Sequence, residues 1–319
     1  MTRAPRVLVL VHLPAEWLEP LHTAGMDVRM VPELATDHAG LCAAAGNAEA
    51  IVSPLTVFVD AEVIAAGARG RLRVVANIAV GHDNIDVAAA RRQHVAVCNT
   101  PGVLDSATAD VAMLLILAAC RGATAAEASL REGAWRGFEL TGYLGKDLAN
   151  ARLGLVGFGG IGQAVAARAA AFGMQVRHHA RRPTGLPGYV PDLDALLSDS
   201  DVVSIHVPLS PDTLGLISAG RIARMPRGSV LVNTARGGIV DEGALADALI
   251  SGHLAGAGLD VFRSEPNVSQ CLLSAPRLTL LPHVGSATWA TRQAMTRLAC
   301  EGVVAVLSGQ TPASLVTVR

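Results

Sequence analysis

The sequence predicts an α/β protein of two domains, each built on a parallel sheet, with the second domain inserted into the first. Three observations predict it. The chain has 319 residues, too many for one ordinary domain. Short apolar runs alternate with helical patterns along its length, the signature of parallel sheets covered on both faces. The alternation breaks after residue 101, resumes at Ala151, and closes with a helix long enough to return to the first domain.

The elements follow in order. Strands are expected at Arg6–Val11, Asp27–Val31, Ala50–Ser53, Arg73–Ile78 and Val95–Asn99, with helices between them, including Ala15–Ala24 and Ala61–Ala66. The stretch "NTPGV", Asn99–Val103, reads as a hinge. One long amphipathic helix is expected from Ser106 to Glu132, followed by a glycine-rich irregular segment that holds Trp135, Phe138 and Tyr143. The second array has strands at Arg152–Phe158, Met174–Ala180, Asp201–Val207, Ser229–Ala235, Gly256–Phe262 and Leu278–His283. Its helices include Ile161–Phe172 and Glu242–Ser251, and the last helix runs from Ser286 to Ser308.

Composition narrows the function. The chain is 51% hydrophobic and 17% charged, enough apolar surface for large cores. A net charge of −1 offers no footprint for nucleic acid and no pull towards anionic lipid. The longest apolar run, Val111–Cys120, is too short to span a bilayer, and the run Val7–Val11 is ended by His12, unlike a signal peptide. Cys42, Cys98, Cys120, Cys271 and Cys300 have no CxxC spacing, so reduced thiols, no metal site and a cytoplasmic location are expected.

"GFGGIGQ" carries Gly157, Gly159 and Gly162 in G-x-G-x-x-G spacing. It ends one strand, opens a helix and precedes another strand, the context of a Rossmann-like dinucleotide-binding domain. Gly157 permits the tight turn, Gly159 lets backbone approach a pyrophosphate at the helix N-terminus, and Gly162 lets helix and strand pack. Phe158, Gly160 and Ile161 complete the turn. An acid is expected about twenty residues on, to hold the adenosine ribose of NAD. "VRHHARRP" instead offers Ala180, Arg181 and Arg182. Loss of a carboxylate removes repulsion of a 2′-phosphate, and guanidinium groups can bind one, so NADPH is expected to be preferred, with NADH possible.

Three further segments carry polar residues where strands end: "NTARGGIVDE", "GLDVFRSEP" and "LLPHVGSAT". They bring Arg236, Glu265 and His283 into consideration for one site, because ligands of open α/β sheets lie beyond the carboxyl ends of strands. Their chemistry suits reduction of a 2-keto acid. His283 can donate the proton to the nascent alkoxide. Glu265 can hydrogen-bond the other ring nitrogen and favour imidazolium. Arg236 can bind the carboxylate and polarise the keto oxygen.

The sequence resembles the D-isomer-specific 2-hydroxyacid dehydrogenases over essentially its whole length. "AVGHDNID", "NTPGVL", "LGLVGFGGIGQAVA", "HVPLSPDT", "LVNTARGGIVDEGAL", "AGAGLDVFRSEP" and "LLPHVGSATWATR" carry the resemblance. It is most similar to the glyoxylate/hydroxypyruvate reductases, with the 2-ketogluconate and hydroxyphenylpyruvate reductases beside them. The resemblance implies a substrate-binding domain at 1–101 and 286–319 and a dinucleotide-binding domain at 102–285. It implies catalytic roles for Arg236, Glu265 and His283, and substrate contacts at Val80 and Gly81 and in the loop of Leu55. It implies coenzyme contacts at Val207, Pro208, Thr213, Thr234, Ala235, Asp260, His283 and Gly285. A homodimer is implied through an arm at 109–150, with Phe138 a candidate to reach the partner's site. Gly160 stands where many relatives have Arg.

Two competing functions share the fold. A nucleotide-sensing, corepressor-like regulator would not need the intact Arg236, Glu265 and His283. An oxidant of a one-carbon anion such as formate would typically carry Gln at position 265.

Overall fold

The structure, a computed structural model, describes residues 3–317. The chain forms two α/β units, Met1–Leu104 with Ala287–Arg319, and Asp105–Ser286. Each has its own wholly parallel sheet, as the alternation of elements requires.

In the first unit the strands are β1 Arg6–Val9, β2 Asp27–Met30, β3 Ala50–Ser53, β4 Val74–Asn77 and β5 Ala96–Cys98, in the order β2-β1-β3-β4-β5. All pair in parallel, with Val7 opposite Ala50 and Ala50 opposite Val74. The central strands β3 and β4 are buried at every position, which explains their unbroken apolar runs. Successive side chains feed opposite faces. Leu8 joins one apolar cluster with Ile51 and Val75, while Val7 and Val9 join another with Val52 and Val74. The helix Trp289–Leu307 covers the second face with Ala299, Cys300 and Val303. Thr288 caps it by accepting the Thr291 amide.

In the second unit the strands are β6 Arg152–Val156, β7 Gln175–His179, β8 Val202–Ile205, β9 Ser229–Asn233, β10 Leu254–Leu259 and β11 Leu278–Leu280. Their order is β11-β10-β9-β8-β6-β7, again all parallel. The chain leaves β6 for one side of the sheet and then returns to its other side at β8, so the topological switch lies between β6 and β8. A crevice forms at such a switch, beyond the strands' carboxyl ends. β9 divides its side chains between two clusters, Leu231 to one and Val230 with Val232 to the other. Each such fully buried aliphatic contributes about 2 kcal/mol.

Two helices differ from the sequence expectation. Ala15–Ala24 is a 3₁₀ turn, Ala15–Leu18, followed by a short helix, Glu19–Thr23, with Pro20 in its first turn, where the missing N–H is not needed. The long helix expected over Ser106–Glu132 is two helices, Asp105–Arg121 and Ala123–Arg131, bent by 68° at Gly122. Gly122 has φ +61°, a left-handed conformation that stops the first helix. The division also separates burial. Asp105–Arg121 buries Ala112, Met113, Leu115 and Ile116 in the core, whereas Ala123–Arg131 buries nothing. Among the described residues no single helix is long and apolar enough to cross a membrane.

Candidate active site

The sheet of the second unit aligns the ends of its six strands along one edge, and the sequence-predicted residues of that unit other than Phe138 follow those ends. Gly157 follows β6, Ala180 to Arg182 follow β7, and Val207 and Pro208 follow β8. Thr234, Ala235 and Arg236 follow β9, Asp260 follows β10, and His283 lies three residues past β11.

The glycine turn has the geometry its spacing requires. Gly157 has φ +101°, and a Cβ there would stand 2.5 Å from the His206 carbonyl oxygen at the end of β8. At Gly159 a Cβ would meet nothing within 4 Å, so the backbone is open at that point. Gly159 also caps the helix Gly160–Ala171 without a side-chain hydrogen bond, which leaves the first amides of a twelve-residue helix directed at an anion site. Phe158 and Ile161 turn their side chains against the apolar core, so what they offer a ligand is backbone. Thr234 lies at the end of β9 with its buried Oγ1 lacking a hydrogen-bond partner among the described residues. The open cradle, the uncapped amides and this orphaned hydroxyl fit a dinucleotide.

Arg181 and Arg182 are exposed in the turn after β7, and Ala180 accepts a hydrogen bond from the Tyr189 hydroxyl at 3.4 Å. Thr213 fastens the turn beyond β8, donating to the Pro208 carbonyl at 2.7 Å while Oγ1 accepts the Ser210 amide at 2.8 Å. Nearby, desolvation takes His206 down to about 4, so its ring is neutral at physiological pH.

Arg236, Glu265 and His283 are brought together. His283 Nδ1 lies 2.7 Å from Glu265 Oε2, and Glu265 Oε1 accepts the Phe262 amide at 2.9 Å. Burial alone would raise the Glu265 pKa. The His283 and Phe262 hydrogen bonds and the Arg236 charge outweigh it and hold the carboxyl below its ordinary range. A carboxylate can only accept, so Nδ1 carries the proton of a neutral ring and Nε2 is left for a substrate.

Asp260 is fully buried one residue past β10. Its two oxygens accept the amides of Val284 and Gly285, each at 2.7 Å. Burial nevertheless holds its carboxyl above the ordinary range. His283 itself has φ +54°, rare for a residue with a side chain, and the two amides fastened next to it maintain that bend.

Several supporting residues escape sequence reasoning. Asn233, buried at the end of β9, donates to the Arg236 carbonyl at 2.9 Å and accepts the Ala235 amide at 3.0 Å, so it clamps the turn that presents Arg236. Glu242 accepts the Arg263 amide at 2.7 Å and the Ser269 hydroxyl at 3.1 Å, fixing the loop of Glu265. A polar residue closing an apolar strand is the signal that marks Asn233. Asp105 carries no such signal, yet its carboxylate fills the space where a Cβ at Gly160 would be, with Oδ2 only 1.9 Å from that position. Burial raises its pKa.

Leu55, Val80 and Gly81 belong to the first unit, after β3 and β4. Asn99 Nδ2 donates to the Val80 carbonyl at 2.8 Å and the buried Asn77 donates to that of Gly81 at 2.7 Å, which fixes the loop's backbone. Phe138 is 86% exposed, beyond the helix Ala123–Arg131, and the structure does not gather it with the other predicted residues.

Residues 113–285 match the family described as D-isomer specific 2-hydroxyacid dehydrogenase, NAD binding domain. The chain is similar to a glyoxylate reductase of Korarchaeum cryptofilum, 43% identical over 279 residues, covering 85% of this chain and 83% of that protein. Among solved structures it is similar to a glyoxylate reductase from Paecilomyes thermophila, with a TM-score of 0.87 and 36% identity over 99% of both chains. It is also similar to an NADPH-dependent glyoxylate/hydroxypyruvate reductase from Sinorhizobium meliloti, solved with NADP and malonate. There the TM-score is 0.86 and identity 35%, over 99% of this chain and 97% of that one.

Proposed function

We propose a specific reaction from a settled premise: the chain belongs to the D-isomer-specific 2-hydroxyacid dehydrogenases. It is an oxidoreductase with a nucleotide-binding domain of that family. The reaction is reduction of a small 2-keto acid, glyoxylate or hydroxypyruvate, to the D-2-hydroxy acid, with NADPH preferred over NADH. Relatives named for glyoxylate reduction support the substrate class.

The observation that carries the reading is the 2.7 Å hydrogen bond between His283 and Glu265, with the charge of Arg236 acting on the same carboxylate. The bound coenzyme supplies the hydride. Arg236 binds the substrate carboxylate and draws charge from the keto oxygen, which orients the carbonyl carbon. His283, as the imidazolium, donates its Nε2 proton to the oxygen as negative charge builds there and ends as the neutral ring with Nδ1–H on Glu265, whose charge favours the cation beforehand. Within the first unit, the backbone amides of Val80 and Gly81 and the side chain of Leu55 are the proposed substrate contacts. Gly157, Gly159, Gly160 and Gly162 bring backbone to the pyrophosphate, and Arg181 with Arg182 takes the 2′-phosphate. Val207, Pro208, Thr213, Thr234, Ala235, Asp260 and Gly285 line the remainder of the coenzyme site.

The active form is a homodimer joined through the arm at 109–150, in which Leu130, Trp135, Phe138, Leu140 and Leu144 are all exposed. Five free cysteines suit a reducing cytoplasm. A regulator that merely senses nucleotide is not favoured, since it has no use for the His283–Glu265 pair.

The test is parallel initial rates with NADPH and NADH on glyoxylate, hydroxypyruvate, 2-ketogluconate and phenylpyruvate. The expected result is fast NADPH oxidation with the smaller acids. No turnover with any of the four overturns the reading.

A further inference from the structure

One side chain joins the glycine turn to the arginine turn. His178, in β7, is fully buried. Its ring stacks on that of Phe158, the second residue of the glycine turn, with centroids 3.6 Å apart and planes 14° from parallel. Its Nε2 lies 2.8 Å from Oγ1 of Thr184, two residues past Arg182. Thr184 Oγ1 also accepts the Leu186 amide at 3.2 Å, so the same hydroxyl braces the turn internally. The backbone repeats the pattern. The His178 amide donates to Gly188 and its carbonyl accepts from Val190, both at 2.8 Å, which folds the segment after Ala180 back over β7.

An imidazole is an expensive choice for this position. Its Nδ1 is buried with no hydrogen-bond partner among the described residues, and burial together with His179 disfavours its charged form. An aliphatic side chain would fill β7 without that cost. What an aliphatic cannot do is stack flat on Phe158 and hold Thr184 at the same time.

We propose that His178 is a positioning residue for coenzyme selection: through Phe158 and Thr184 it sets the Arg181–Arg182 turn against the glycine turn, so that the arginines meet an adenosine 2′-phosphate. It does this without touching the coenzyme. The proposal rests on the reading that Arg181 and Arg182 bind that phosphate. The tie reaches only the adenosine end, so binding of a ligand with no 2′-phosphate does not depend on it.

The experiment is equilibrium titration of the full chain with 2′,5′-ADP and with 5′-AMP, in which no turnover enters. Thr184→Val removes the hydroxyl at nearly constant shape, and His178→Phe keeps the stack but loses the hydrogen bond. Each is expected to weaken 2′,5′-ADP by about fivefold and to leave 5′-AMP within about twofold. His178→Gln, which returns an N–H near the place of Nε2, recovers part of the lost selectivity. Within the Arg181→Ala, Arg182→Ala background Thr184→Val has no further effect, because the tie acts through the arginines. If His178→Phe does not fold, Thr184→Val, in a surface turn, still decides. Selectivity lost on removing the arginines but kept in Thr184→Val and His178→Phe overturns the tie alone. Selectivity kept in all of them overturns the arginine reading and the tie with it.

Discussion

Glu265 holds His283 by Nδ1 at 2.7 Å and is itself held by the Phe262 amide, so the imidazole is oriented by a carboxylate that cannot swing away. His283→Ala removes the proton donor and should slow keto acid reduction by about a hundred- to ten-thousandfold. The NADPH dissociation constant, read by fluorescence titration, should stay within about twofold because the glycine turn is untouched. Unchanged turnover would remove His283 from the mechanism.

The lowered Glu265 pKa has a definite sign. A carboxyl whose folded pKa is depressed contributes stability that is fully present above its ordinary value of 4.5 and is lost as pH falls through the lower, folded value. Glu265 is therefore a carboxylate above 4.5, able to accept from His283 Nδ1, and its protonation should bring no loss of kcat/KM above that pH. Glu265→Gln should lower kcat by about tenfold with little change in KM, since the ring keeps an acceptor but loses its counter-charge. A variant profile identical to that of the wild type would show that the charge of Glu265 is idle.

Arg181→Ala together with Arg182→Ala should raise the KM for NADPH by about tenfold or more, the worth of one or two charge-assisted hydrogen bonds, and leave that for NADH within about twofold. Equal losses with both coenzymes would mean that the arginines do not read the phosphate.

The central strands were legible because a parallel sheet buried on both faces writes itself as short runs of aliphatic residues, as in "AIVS" of β3 and "SVLVN" of β9. The strand ends then pointed to Arg236, Glu265 and His283. The bend at Gly122 was not legible, because one glycine in an alanine-rich stretch is tolerated by many helices and only its left-handed φ ends this one. Asp105 and His178 were hidden for another reason. Asp105 meets Gly160 across 55 positions, and His178 meets Phe158 across 20, and no local pattern records a meeting between distant residues.

The Asp105 carboxylate at Gly160 sets a negative charge beside the N-terminus of the helix that receives the pyrophosphate. Asp105→Asn should tighten NADH and NADPH alike, by about two- to fivefold, with the gain shrinking as salt is raised. Titrations at two ionic strengths check it. A gain for one coenzyme only would show that Asp105 acts at the adenosine end instead.

The 68° turn at Gly122 has a consequence for handling as well as for assembly. Beyond it Trp135, Phe138, Leu140 and Leu144 are all exposed. In a dilute stock such an apolar surface meets glass or plastic before it meets another copy. Activity lost on dilution should therefore return with a trace of non-ionic detergent or inert carrier protein, and Phe138→Ser with Leu140→Ser should leave a chain that no longer clings to the vessel wall.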